Sequence, residues 1–220
     1  MSANDTKHTS GPGAEPARYP IGSFGGVDFD LVAWGPAQAA VDLSVACMFE
    51  RELDPRGPQG GLLALDAALG GQLTHMRAAG AFRAQPMETL LVSTPPPGLA
   101  PRAVLVIGMG HPATLDGELL RRATRVALSE AVRLGARSMA FAPSVLDAGH
   151  LDNAALDMQT VMLDGMLGAL RAERMLMEAG LTHAPALRRC SFDVGAPRAQ
   201  AAAGAFAAAF ARLAPPKPLG

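Results

Sequence analysis

The apolar positions of the chain fall into short blocks of two kinds, and their succession predicts a layered α/β fold. "VDFDLVAWG" (27–35) and "VDLSVACMFE" (41–50) alternate or run apolar over strand lengths. With the turn-like "GPAQAA" between them they read as two adjacent strands. "GLLALDAALGGQLTHMRAAG" (61–80) sets Leu62, Leu65, Leu69, Leu73 and Met76 on one face at steps of three and four, a helix stopped at Gly80. "ETLLVSTPPP" and "RAVLVIGMG" read as two more strands, split by a Pro-rich loop. Asp116 opens a helix whose apolar face is Leu119, Leu120, Ala123, Val126, Ala127 and Leu134, closed by Gly135. "SMAFAPSV" is apolar on both sides and reads as a central strand. A long helix from about Asn153 to Ala179, the strand "ALRRCSFDVG" and an Ala-rich helix to about Leu213 complete the series. Six strands interleaved with four helices predict an α/β domain with a mixed, about six-stranded sheet. The link between the first two strands is too short for a crossover helix, so a purely parallel sheet is not expected.

Composition sets the limits of this unit. Residues 1–24 are rich in small polar residues, Gly and Pro and read as a disordered arm; 25–213 form the folded body, and 214–220 a Pro-rich tail. With 220 residues, 49% of them hydrophobic, the chain can bury a core of its own. A net charge of −1 gives no electrostatic reason to bind nucleic acid or an anionic membrane. No apolar run reaches the roughly 20 residues of a membrane span, and the N-terminus lacks the apolar core of a signal peptide, so the expected location is cytoplasmic. Cys47 and Cys190 sit in apolar runs and read as reduced, buried thiols.

The kind of charge says more than its sum. Of 19 basic residues only Lys7 and Lys217 are lysines, and both lie in the tails. A body without lysine excludes a Schiff-base enzyme, a P-loop and a lysine-assisted metallopeptidase. No catalytic residue, metal ligand or cofactor is assigned to any position.

The order of segments carries a resemblance. "LDAALGGQL", "ETLLVSTPPPGLAPRAVLVIGMG", "LDGELLRRATRVALSEAVRLGARSMAFA" and "VMLDGMLGALRAERM" together resemble the N-terminal domain of the cytosolic leucyl aminopeptidase family, over roughly residues 25–213. The resemblance implies a three-layer α/β/α macro-like fold. In that family a separate C-terminal domain holds two metal ions through aspartates, a glutamate and a lysine, with an Asn-Thr-Asp-Ala-Glu-Gly-Arg motif that nothing here matches. The resemblance and this mismatch together imply a stand-alone, non-catalytic module, with a second copy of itself or a full-length aminopeptidase as partner.

Three stretches invite a functional reading. Gly108, Gly110 and Ala113 satisfy a Gly-x-Gly-x-x-Ala nucleotide fingerprint after a strand, with His111 inside it. Pro112, however, removes an N–H from the loop, and the stretch "VRLGARS" that closes the next helix offers no acidic ribose partner. A tight strand exit is the simpler reading. A nucleotide ligand remains the alternative, because the macro fold that the resemblance implies binds ADP-ribose at loops of this type. "DAGHLD" gathers Asp147, His150 and Asp152 in one loop after a central strand, either for a ligand or as a solvated loop capping the next helix. Met158, Met162 and Met166 repeat every four residues, with Met175 and Met177 beyond, and read as core or as an adaptable contact surface. His75 and His183 stand singly near helix ends and read as surface residues.

Overall fold

The computed structural model describes residues 17–51, 58–143, 157–195 and 199–215. Its strands are β1 (Tyr19–Phe24), β2 (Val27–Val32), β3 (Leu43–Met48), β4 (Thr89–Val92), β5 (Ala103–Gly108), β6 (Ser138–Ala142) and β7 (Arg189–Asp193). Its helices are α1 (Gly60–Ala68), α2 (Gln72–Ala78), α3 (Gly117–Arg133), α4 (Met158–Glu178) and α5 (Ala199–Leu213). The strands form one mixed sheet in the order β1-β2-β7-β6-β3-β5-β4. The five inner strands run parallel, and β1 and β4 close the two edges antiparallel.

Alternation along each strand assigns its side chains to two layers. Phe29, Leu31, Leu43, Val45, Cys47, Met139, Phe141, Cys190 and Phe192 point to one face, where α3, α4 and α5 cover them. Ala46, Met48, Val104 and Val106 point to the other, under α1 and α2. Beside those helices Ala39 and Val41 press on Ala140, so the irregular crossover 33–42 serves as part of the second layer. The result is a three-layer α/β/α sandwich.

Several expectations are corrected. Among the described residues the sheet has seven strands, because Tyr19–Phe24 forms an edge strand inside the stretch read as a disordered arm. Exposed Pro20 and a bulge between Pro20 and Gly22 conceal its alternation. Gly22 is required there: a Cβ would lie 2.4 Å from the Phe210 ring of α5. The strands 27–35 and 41–50 do not pair, since β7 and β6 lie between β2 and β3. The sheet is mixed because of its edges, not because of that link. The helix expected over 61–80 breaks into α1 and α2 at Gly70 and Gly71, both at positive φ. Asp66 turns the corner, its Oδ1 accepting from the Leu73 and Thr74 amides (2.8 and 3.3 Å) and its Oδ2 from the Thr74 hydroxyl (2.5 Å). Leu134 ends α3 half exposed instead of facing the core. α4 begins at Met158, capped by Asp157, while Asn153 lies outside the described residues.

Candidate functional site

Ligands of open α/β sheets sit at the carboxyl ends of the parallel strands, which here is the side carrying the Gly-Met-Gly turn after β5. Every amide of that turn is committed to main chain. Gly108 donates to the Glu88 carbonyl (2.7 Å), Met109 to Met48 (2.8 Å) and Gly110 to Ala84 (2.8 Å). The turn accepts in return, Gly108 from the Met87 amide (2.9 Å) and Gly110 from Glu50 (3.0 Å). Glycine is demanded by contact: a Cβ on Gly108 would stand 2.2 Å from the Gln85 carbonyl oxygen, and one on Gly110 2.7 Å from the Pro86 ring. The facing segment is itself held in the left-handed region at Ala84 (φ 57°) and Met87 (φ 66°). Glu88 Oε2 ties it down through the amides of Arg83 and Gln85, both at 3.0 Å. His111 is spent on a cap, its Nδ1 accepting from the Ala113 amide at 3.1 Å while its carbonyl takes the Thr114 hydroxyl. Gly108, Met109 and Gly110 thus lock three segments together through their main-chain groups, and His111 caps the short turn that follows. Asp147, His150 and Asp152 lie outside the described residues.

A polar cluster that sequence reasoning missed lies on the second face of β2 and β7. Arg18 Nη1 donates to Asp30 Oδ2 at 3.0 Å and approaches Ser191 Oγ at 3.4 Å, and its guanidinium stacks 4.5 Å from the centroid of the Trp34 ring. Asp193 accepts from the amides of Trp34 (3.2 Å) and Gly35 (2.6 Å), which anchors the crossover as it leaves β2. Arg18 Nε, Asp30 Oδ1 and Trp34 Nε1 are buried without a hydrogen-bond partner. The signal in the sequence was the pair Asp28 and Asp30 alternating with Phe29 and Leu31, a strand that is polar on one face. The matching Arg18 fell in the stretch read as an arm.

The methionine stripe divides along α4. Met162 and Met166 are buried, with Met166 Sδ 3.1 Å from Cys190 Sγ, and Met158 is half-buried against the core. Burial, helped by the Asp30 charge, pushes the Cys190 thiol far above its usual range, which keeps it protonated and unreactive. The exposed apolar side chains come later, at the end of the helix: Met175 is 70% and Leu181 74% exposed, with Leu176 and Met177 beside them. Next to them a cavity of about 430 Å³ opens between the β1–β2 turn, the last turns of α4 and residues 184–188. It lies at the amino ends of β2 and β7, across the sheet from the Gly-Met-Gly turn.

Among the described residues no group of three or more His, Cys, Asp or Glu is placed to hold a metal ion, and no helix is long and apolar enough to cross a membrane.

Against known families, residues 49–162 match the N-terminal domain of the cytosol aminopeptidase family. No curated protein sequence matches the chain. Among solved structures, a Trypanosoma brucei macrodomain is 24% identical with a TM-score of 0.53, over 82% of this chain and 65% of that one. An Oceanobacillus iheyensis macrodomain with ADP is 15% identical with a TM-score of 0.64, over 91% of this chain and 98% of that one. A tomato leucine aminopeptidase mutant is 13% identical with a TM-score of 0.59, over 83% of this chain and 35% of that one. The T. brucei macrodomain also occurs in complex with ADP-ribose. These likenesses establish a macro-like fold, and the chain spans about a third of the tomato enzyme.

Proposed function

The chain belongs to the cytosol aminopeptidase family as an N-terminal domain of it, and on that premise we propose that it is a non-catalytic module that works by binding protein. The observation that carries this reading is the end of α4, where Met175, Leu176, Met177 and Leu181 stand exposed together. Large exposed apolar side chains concentrated in one short stretch of chain favour an interaction site, and methionines suit it because they repack against varied partners. The candidate partners are a second copy of the chain and a full-length aminopeptidase of the family. Two buried cysteines that form no disulfide fit a reducing compartment, in keeping with a cytoplasmic module. The test pairs a leucyl reporter assay, with manganese or zinc added, with sedimentation of the chain alone and mixed with such an aminopeptidase. Absence of turnover together with association supports the reading. Turnover that copurifies with the chain, or no association with either partner, overturns it.

A second reading, a binder of ADP-ribose or a related nucleotide, is favoured by one observation. Asp30 Oδ1, Arg18 Nε and Trp34 Nε1 are buried, unbonded polar atoms on the second face of β2 and its neighbours. Two donors and one acceptor suit a base edge that both accepts and donates, and related folds are described with ADP and ADP-ribose. A saturable rise of the thermal midpoint with ADP-ribose, lost in Asp30→Ala, would support it. A flat response across nucleotides would remove it.

A further inference from the structure

We propose that the cavity at the end of α4 is a binding site for a small amphipathic acid, a hydrocarbon body that carries one carboxylate. At about 430 Å³ the cavity has the size of a small-molecule site. Apolar side chains wall it on three sides: Phe24 and Val27 at the β1–β2 turn, Leu170 and Met177 on α4, and Pro185 and Leu187 on the segment that leads into β7. The turn itself meets the cavity as bare main chain, since Gly25 and Gly26 have open space where a Cβ would stand. A pocket closed on three sides holds a compact apolar body and removes its methylenes from water, while the open side leaves a polar end at the surface.

Charge at the mouth selects the head group. Arg174 and Glu178, both lining the cavity, are joined at 2.7 Å and cancel one another. Arg188 on the opposite wall has no acidic partner among the described residues. Its Nη1 donates to the carbonyls of Pro185 and Leu187 at 2.8 Å, which fixes the guanidinium. The Nε and Nη2 edge is left over, the pair of parallel donors that a carboxylate accepts. One unpaired cation matches one negative charge, whereas nucleic acid and an anionic membrane reward a surplus of several. A neutral hydrocarbon would leave Arg188 unanswered, and a cationic one would be repelled by it. The cavity lies at the amino ends of β2 and β7, so its occupancy is independent of whether the chain binds protein or a nucleotide.

The experiment is isothermal titration calorimetry of the full chain with decanoate, octanoate and hexanoate, and with decanol and decylamine at matched length. The expected result is saturable binding of one decanoate per chain, weakening about tenfold for each two carbons removed. Decanol and decylamine should bind at least about tenfold more weakly than decanoate. Met177→Trp, which fills the cavity from an exposed position, should abolish binding. Arg188→Gln should raise the Kd for decanoate about tenfold, and Arg188→Lys should recover part of that loss. Thermal midpoints without ligand show that each variant folds as wild type does. Decanoate that gives no saturable heat overturns the proposal. Binding that decanol or decylamine matches, or that Met177→Trp leaves intact, overturns it as well, because the charge or the cavity then plays no part.

Discussion

Gly165 of α4 lies against Thr124 of α3 so closely that a Cβ on the glycine would stand 2.0 Å from the threonine Oγ1 and 2.5 Å from the Arg121 carbonyl oxygen. Arg121 Nε meets Asp164 at 2.8 Å beside the same crossing. Three residues on, Gly168 has nothing within 4 Å of where its Cβ would be. The pair makes a controlled comparison. Gly168→Ala should stabilise by up to about 1 kcal/mol through helix propensity alone. Gly165→Ala gains the same propensity but must push two helices apart, for a net loss of about 1–3 kcal/mol. Urea midpoints of the two variants should move in opposite directions; a shared direction would mean that the helices can slide apart freely.

The turn after β5 supplies the second expectation. Gly108→Ala drives a methyl group into the Gln85 carbonyl and neighbouring backbone. The facing segment, already at positive φ at Ala84 and Met87, has little room to retreat. Destabilisation of about 2–4 kcal/mol is expected in thermal unfolding. An Ala variant with the wild-type midpoint would show that the turn is looser than its hydrogen bonds imply.

Much of this was legible in the sequence, and the exceptions share a cause. Helix stops at Gly80 and Gly135 and the cap at Asp116 were readable because each rests on local backbone chemistry. The parallel centre of the sheet was not. Strand order is set by which faces later segments cover, and β6 and β7, which separate β2 from β3, come from far along the chain. The same limit hid Arg18, whose partners Asp30 and Ser191 are long-range. The methionine repeat was visible, but periodicity alone could not say where α4 leaves the body of the domain and burial turns to exposure.

The stacking of Arg18 on Trp34 can be monitored optically, because Trp34 is the only tryptophan in the chain. Arg18→Ala removes the cation above the ring and leaves Asp30 Oδ2 with Arg189 Nε at 3.7 Å in place of the 3.0 Å pair. A red-shifted emission and a loss of about 1–3 kcal/mol are expected, moderated by the partial exposure of Arg18. Unchanged emission would place the arginine away from the ring.

Asp157 gives a pH signature. Hydrogen bonds from the Thr160 hydroxyl (2.6 Å) and amide (3.0 Å), aided by the Arg212 charge, hold its carboxyl below the ordinary value. A depressed folded-state pKa contributes stability that is present above the unfolded pKa of 3.8 and is lost as pH falls through the folded value. Asp157→Asn should therefore be less stable than wild type near neutral pH, with the gap closing below about pH 4. A gap that persists in acid would assign the loss to packing and not to charge.

The crossover 33–42 spans two strand positions without a helix, and this orders events in time. Of its two ladder partners, β2 has only β1 close in sequence; the other, β7, is near the far end of the chain. β3, β4 and β5 with α1 and α2 can assemble from neighbouring segments, so a half-made sheet forms early. The β1–β2 hairpin must wait until β6 and β7 have been synthesised and have docked in sequence against β3. During synthesis β1 and β2 are thus seated only once β7 has arrived, and until then Phe29 and Leu31 wait without the cover they have in the finished sheet.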